Sequence, residues 1–190
     1  MVDFKPLLDF WFGPLENGLA AAEQRKTWFT PDKAFDARCR DEFLPLLHQA
    51  NSGDLNHWLD SARGQLAFIL LTDQLPRNIF RGTREAFDFD HLALAAARKG
   101  IAEGSDRQLE LDERSFFYMP FEHAEDLVDQ HMAVGLFSYL RDSSPKGARD
   151  ITGNALRYAQ QHRDIIIRFG RFPHRNGVLG RDSTPAEQAF

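Results

Sequence analysis

The chain has 190 residues, 43% of them apolar and 27% charged, with a formal charge of −5; these proportions exclude a disordered or fibrous protein and predict one globular domain over residues 1–190. The lone Cys39 has no internal disulfide partner, and the longest central apolar run, Leu66 to Leu71, is far short of the roughly 20 residues that cross a bilayer. A cytoplasmic protein without a membrane partner is expected, the N-terminal Met1–Pro6 carrying no apolar signal region, and the net acidity argues against nucleic acid.

Periodicity predicts helices almost throughout. Phe4–Phe12 is closed by Gly13-Pro14, and Ala20–Phe29 follows. Pro31–Gln49 has Thr30 as N-cap and Pro31 in its first turn. Asp54–Leu75 carries Leu55, Leu59, Ala62, Leu66 and Ile69 on one face, with Asp54 as N-cap and Pro76 as its stop. Phe89–Ala102 and a short Glu113–Tyr118 segment come next. Ala124–Leu140 reads with Val128, Met132, Gly135, Leu136 and Tyr139 inward and Asp126, Asp129, Gln130 and Ala133 outward. Ala148–Phe169 has its stripe at Ile151, Ala155, Tyr158, His162, Ile165, Ile166 and Phe169. No clean two-residue alternation occurs, so the expected fold is all-α, a compact array of about eight or nine helices. The 17 Phe residues, against three Trp and three Tyr, are read mainly as core material.

Three stretches carry candidate chemistry. In Asp73-Gln74-Leu75-Pro76-Arg77-Asn78-Ile79-Phe80-Arg81-Gly82, Asp73 extends the apolar stripe and points inward, where a buried carboxylate needs a partner such as Arg77 or Arg81. Between Arg157 and Arg181 six Arg face one acidic residue, a +5 block on a remainder of −10; such segregation concentrates small anions unless the Arg residues pair with carboxylates. The turns Leu75-Pro76-Arg77-Asn78 and Phe172-Pro173-His174-Arg175-Asn176 are alike, each a rigid loop that projects basic side chains. The triplet His162-Arg163-Asp164 matches part of the protein-kinase catalytic loop, but Phe169 stands where that loop needs Asn, which excludes the kinase reading. Glu122-His123-Ala124-Glu125-Asp126-Leu127-Val128-Asp129-Gln130-His131 is dense in carboxylates and imidazoles. It contains no Glu-x-x-His unit, so neither a metal nor another cofactor is expected, and helix-end acids also complement the macrodipole.

Together the first stretch, Phe117-Tyr118-Met119-Pro120-Phe121-Glu122-His123-Ala124-Glu125-Asp126, and His162 through Asn176 resemble the widespread bacterial family catalogued as "domain of unknown function 924". The resemblance covers nearly the whole chain. It implies an all-helical fold similar to tetratricopeptide-like arrays and supplies no catalytic residues; the family's pattern usually continues beyond the Ser183–Phe190 tail.

The leading expectation is a binding module for a small anionic ligand or peptide, held by Asp73, Arg77, Asn78, Arg81, Glu125, Asp126, Arg168, Arg171, His174, Arg175 and Asn176. The alternative is an enzyme with His123 or His162 as general acid or base, Asp164 as a further candidate, and Arg residues stabilising negative charge; it requires a His and an Arg to open into one pocket. A third is a structural or oligomeric interaction protein, whose sign is a large exposed Phe-rich patch.

Overall fold

Residues 2–190 are described in the computed structural model. The chain begins with α1 (Lys5–Phe12), which buries Leu7, Leu8, Trp11 and Phe12. A two-residue hairpin follows, β1 (Leu15–Glu16) against β2 (Leu19–Ala20), paired Leu15 with Ala20 and Glu16 with Leu19. No strand is expected from periodicity, but Asn17-Gly18 between Leu15 and Ala20 is a hairpin-turn dipeptide, and both residues have positive φ, 52° and 81°. Asp112 anchors this hairpin by accepting the Ala20 N–H at 2.8 Å, while the Asp112 N–H donates to the Gly18 carbonyl.

Next come α2 (Ala22–Phe29) and α3 (Lys33–Ser52). Asp32 rather than Thr30 caps α3, its carboxylate accepting the Ala34 and Phe35 N–H groups, because Pro31 stays outside the helix. The helix expected over Asp54–Leu75 is divided. Gly53 ends α3 in the left-handed region, a 3-10 turn covers Asn56–Asp60, and Ser61, not Asp54, caps α4 (Ala62–Ile69).

At the other end the expected stop at Pro76 does not occur. A π-helical turn over Leu70–Gln74, closed by the Leu75 N–H on the Leu70 carbonyl, joins α4 to α5 (Leu75–Ile79). The wider turn resets the ladder so that Pro76 falls in a first helical turn, where its missing N–H costs nothing. Gly64 lies where α4 crosses the preceding turn, and a Cβ there would run into the Trp58 carbonyl. Since backbone cannot swing aside, Gly64→Ala is expected to lower stability by about 1–3 kcal/mol, read as a reduced urea midpoint with unchanged m-value.

α6 (Asp90–Glu103) leads to α7 (Leu111–His123), longer at both ends than the expected Glu113–Tyr118 and opened by a Glu110/Glu113 capping box. α8 (Leu127–Ser143) and α9 (Arg149–Phe169) complete the main array, and α10 (Asn176–Leu179) and α11 (Pro185–Gln188) are single turns in the tail. The fold is an all-α array with one minute hairpin, and no described helix is long and apolar enough to cross a membrane.

Two faces are turned relative to expectation. On α8 the buried side carries Asp129, Gln130, Ala133, Phe137 and Leu140, while Val128, Met132 and Tyr139 are exposed. The polar pair goes inside because it has work there. Asp129 takes Arg98 on both oxygens at 2.7 Å, and the Gln130 amide donates to the Glu122 and Ala124 carbonyls left open where α7 ends. On α9 the core side is Thr152, Leu156, Ala159 and Ile166. The stripe at Ile151, Ala155, Tyr158 and His162 faces an open groove instead.

Most Phe side chains are core or half-buried, as expected. Phe116 is the hub of one cluster, with Trp28 edge-on at 4.7 Å, Trp11 at 5.5 Å and Phe12 at 5.6 Å between centroids.

Candidate functional site: a groove between α7 and α9

A cavity of about 550 Å³ opens between the faces of α7 and α9, with Phe137 of α8 beneath it. Along α7 it is lined by Asp112, Ser115, Phe116, Met119, Glu122 and His123, and along α9 by Ile151, Asn154, Ala155, Tyr158 and His162. Each row spans twelve residues, about 16 Å from first to last at 1.5 Å per step, so the cavity is a groove rather than a round pocket. α2 contributes Arg25, Trp28 and Phe29 to its wall, the π turn with α5 contributes Gln74, Arg77 and Asn78, and Arg81 follows just after α5.

Asp73 is the anchor of the imidazole end. Its side chain is 0% exposed and takes His123 Nδ1 on Oδ1 at 2.7 Å, Arg77 Nη1 on the same oxygen at 3.3 Å, and the Gln74 amide on the other. Burial works against its charge, but Arg77, His123 and the hydrogen bonds outweigh it and hold its carboxyl well below the usual carboxylate range. Arg77 also makes a two-point contact with Asp90, at 2.7 and 3.0 Å, and against the effect of burial the charges of Asp73 and then Asp90 raise its pKa.

The second imidazole is built alike. His162 Nδ1 lies 3.0 Å from Glu122 Oε1 and 2.9 Å from the Tyr158 carbonyl. Both partners are oxygens, so Nδ1 carries the proton. Burial lowers the His162 pKa, yet Glu122 and the Tyr158 carbonyl raise it further, and the net direction is upward. The two rings stand 6.4 Å apart between centroids. Their side chains are 16% and 26% exposed, and neither Nε2 has a hydrogen-bond partner among the described residues. A His and an Arg therefore open into one cavity, and His162, expected in the apolar stripe of its helix, is not sealed in the core, because its helix face is the groove wall.

The other expected site residues divide. Asn78 and Arg81 line the groove, but both bind Asp36, Asn78 at 2.8 Å and Arg81 at 2.7 and 2.8 Å. Asp126 is the N-cap of α8, accepting the Val128 and Asp129 N–H groups. Glu125 is held by Arg181 and by the Phe172 N–H. Asp164 is exposed and pairs with Arg163, and Arg168 lies over the Phe169 and Phe190 rings. Arg171 is forked onto Glu187, and Asn176 bonds Ser183 and Arg181 in the tail. The two Pro-Arg-Asn turns consequently do not line one face. The first borders the groove; the second packs behind the imidazoles, and the arginines that flank it, Arg171 and Arg181, are neutralised by Glu187 and Glu125.

Arg175 is the exception in that second turn. Its buried guanidinium lies between the Phe87 and Phe172 rings, 3.6 Å from Asp90, and its Nε has no partner. Burial and the nearby Arg77 push its pKa down to about 10. His174, beside it, is lowered by burial and by the same Arg175 charge. No group of three or more His, Cys, Asp or Glu side chains at metal-binding spacing occurs among the described residues.

Arg25 was not among the expected site residues. Of the three arginines lining the groove its side chain alone has no ion pair or hydrogen bond among the described residues, although its charge acts to lower the pKa of Asp112 on the same wall. Nothing in the sequence marks it, since its helix is short and the rest of the groove it faces is assembled from segments about 50 to 140 residues further along the chain. The aromatic and apolar wall of Phe29, Phe116, Met119 and Tyr158 was legible only as generic core.

Comparison with known proteins adds a relative of the same shape and no activity. A solved structure, that of ATU0120, a protein of unknown function from Agrobacterium tumefaciens, is 38% identical, with a TM-score of 0.81 over 98% of this chain and 94% of that one. No curated protein matches. The sequence pattern described as "Bacterial protein of unknown function (DUF924)" matches residues 7–190, and the chain belongs to that family.

Proposed function

We propose that this chain acts as a single helical domain that binds a small, elongated organic anion, with an apolar or aromatic body along the α7–α9 groove and an acidic group at Arg25. The observation that carries the reading is the contrast among the groove's cations: Arg77 and Arg81 are held by Asp73, Asp90 and Asp36, whereas Arg25 is left with its donors open beside Phe29 and Phe116. An unpaired guanidinium next to an apolar wall suits a carboxylate with a hydrocarbon or aryl chain. A short peptide with a free C-terminal carboxylate shares that chemistry. The buried thiol of Cys39, its pKa pushed up to about 12 by burial, fits a reducing cytoplasm.

Isothermal titration with 6-phenylhexanoate tests this reading. Binding that Arg25→Gln weakens about tenfold or more, the loss of one charge-assisted contact, is the expected outcome. Equal affinity in wild type and Arg25→Gln, or no binding to either, would sink it. An interaction protein with a Phe-rich face finds less support, because Phe29 and Phe190 are the exposed phenylalanines and Phe29 belongs to the groove.

A further inference from the structure

We propose that the imidazole end of the groove is a hydrolytic site that cleaves esters of the organic acid held there, with the Asp73–His123 pair as general base for water and the Glu122–His162 pair as the acid that protonates the leaving alcohol. The proposal rests on the groove being the ligand site.

Four observations converge on it. Each ring is oriented by a carboxylate on Nδ1, at 2.7 Å for His123 and 3.0 Å for His162, which leaves both Nε2 atoms for chemistry in one shared cavity. The rings are 6.4 Å apart between centroids. A tetrahedral carbon flanked by an attacking water and a leaving oxygen, each within a hydrogen bond of about 2.8 Å of an imidazole, needs a span of that order. No aliphatic hydroxyl or thiol of the wall stands beside the imidazoles. Ser115 is the one aliphatic hydroxyl on the wall, and it donates to the Leu111 carbonyl eight residues before His123, about 12 Å along α7. Water is therefore the nucleophile. Finally, Asp73 reaches His123 from a π turn, an irregularity frequent at functional sites.

The step balances without an outside oxidant or reductant. The water oxygen bonds to the carbonyl carbon as its proton passes to His123 Nε2, and the carbonyl π pair moves onto oxygen. Collapse restores the C=O bond and breaks the bond to the alcohol oxygen, which takes the Nε2 proton of a protonated His162. Solvent then carries the proton from His123 back to His162, so ester and water become acid and alcohol. Glu122, His123, Arg175 and His174 face His162, while Asp73 and Arg77 back His123. The upward direction of the His162 pKa keeps more of the acid form present near neutrality.

The test uses the full chain and two hemiesters of suberic acid, each with a free carboxylate for Arg25: the 4-nitrophenyl ester, whose leaving group needs no proton, and the ethyl ester, whose leaving group does. Saturable hydrolysis of both by wild type is expected. His123→Ala lowers kcat for both by about 10²–10⁴-fold and is partly rescued by added imidazole. His162→Gln slows the ethyl ester while sparing the 4-nitrophenyl ester, a difference that a merely structural role would not produce. Asp73→Asn lowers kcat without moving KM, Arg25→Gln raises KM, and the exposed His91→Ala leaves both unchanged. The non-hydrolysable ethylamide separates the two readings. If it binds in an Arg25-dependent manner while wild type hydrolyses neither ester faster than His123→Ala, the hydrolytic site is overturned and the groove stands. If it does not bind and Arg25→Gln changes nothing, the groove reading falls and takes the site with it.

Discussion

Replacing Asp73 with Ala lowers the stability of the protein by about 3–5 kcal/mol, the range for removing one partner of a buried, hydrogen-bonded charge pair. The cost arises because the neighbours remain. Arg77 keeps Asp90 but loses its contact at 3.3 Å, and His123 and the Gln74 amide lose an acceptor that is itself 0% exposed. Urea unfolding read by tryptophan fluorescence measures the loss, and a change below about 1 kcal/mol would show that the carboxylate is not the tie between α7 and the π turn. The same substitution alters the acid limb of stability. A carboxyl whose folded pKa lies below its unfolded value contributes stability that is fully present above the unfolded value, about 3.9, and is lost as pH falls toward the folded one. Asp73 behaves in this way, and Asp36, paired with Arg81, and Glu125, paired with Arg181, add in the same direction. Asp112 acts in the opposite sense, since burial raises it. Wild type is thus expected to lose stability steeply below about pH 4, and Asp73→Ala more shallowly; parallel acid limbs in the two proteins would contradict the assignment.

Phe116→Ala is the second large effect. The ring is 1% exposed and meets Trp11, Phe12 and Trp28 edge to face, so truncation leaves a cavity at the junction of α1, α2 and α7. A cost of about 3–5 kcal/mol is expected, seen as a fall in Tm of about 6–20 °C for a chain of this length. Phe116 also forms part of the groove wall, where Phe29 lies parallel to it at 6.4 Å. Truncation should therefore widen the groove beside Arg25 and shift preference from straight-chain toward bulkier aryl carboxylates. Phe116→Leu, which keeps more of the volume, should recover part of the stability and less of the selectivity. An unchanged selectivity in Phe116→Ala would remove that ring from the ligand wall.

The extent to which the site was legible differs from residue to residue, for physical reasons. Asp73 was recognisable because a carboxylate in register with Leu66 and Ile69 must go inside and must be satisfied there. His123 and His162 were visible as candidates, but their pairing with Asp73 and Glu122 was not, since the partners of each imidazole belong to other helices. The positive block from Arg157 to Arg181 was visible as a composition and misleading as a surface, because Glu125, Glu187 and Asp164 reach its arginines. Arg25 was invisible: what distinguishes it is the lack of a partner, a property of the folded neighbourhood alone.

Local periodicity by itself determined that the chain is helical, where most helices lie, and that Asp73 is buried, because these depend on contacts within a few residues. The tertiary structure decided the rest. It turned α8 so that Asp129 and Gln130 face inward to meet Arg98 and the open carbonyls of α7, and it turned Ile151, Ala155, Tyr158 and His162 of the α9 stripe toward a groove while Ile166 went to the core. It carried the helix through Pro76 on a π turn, setting Asp73 against His123 from 50 residues away. An apolar stripe specifies that a face avoids water, not which neighbour covers it, and a charge specifies a need for a partner, not whether the fold supplies one.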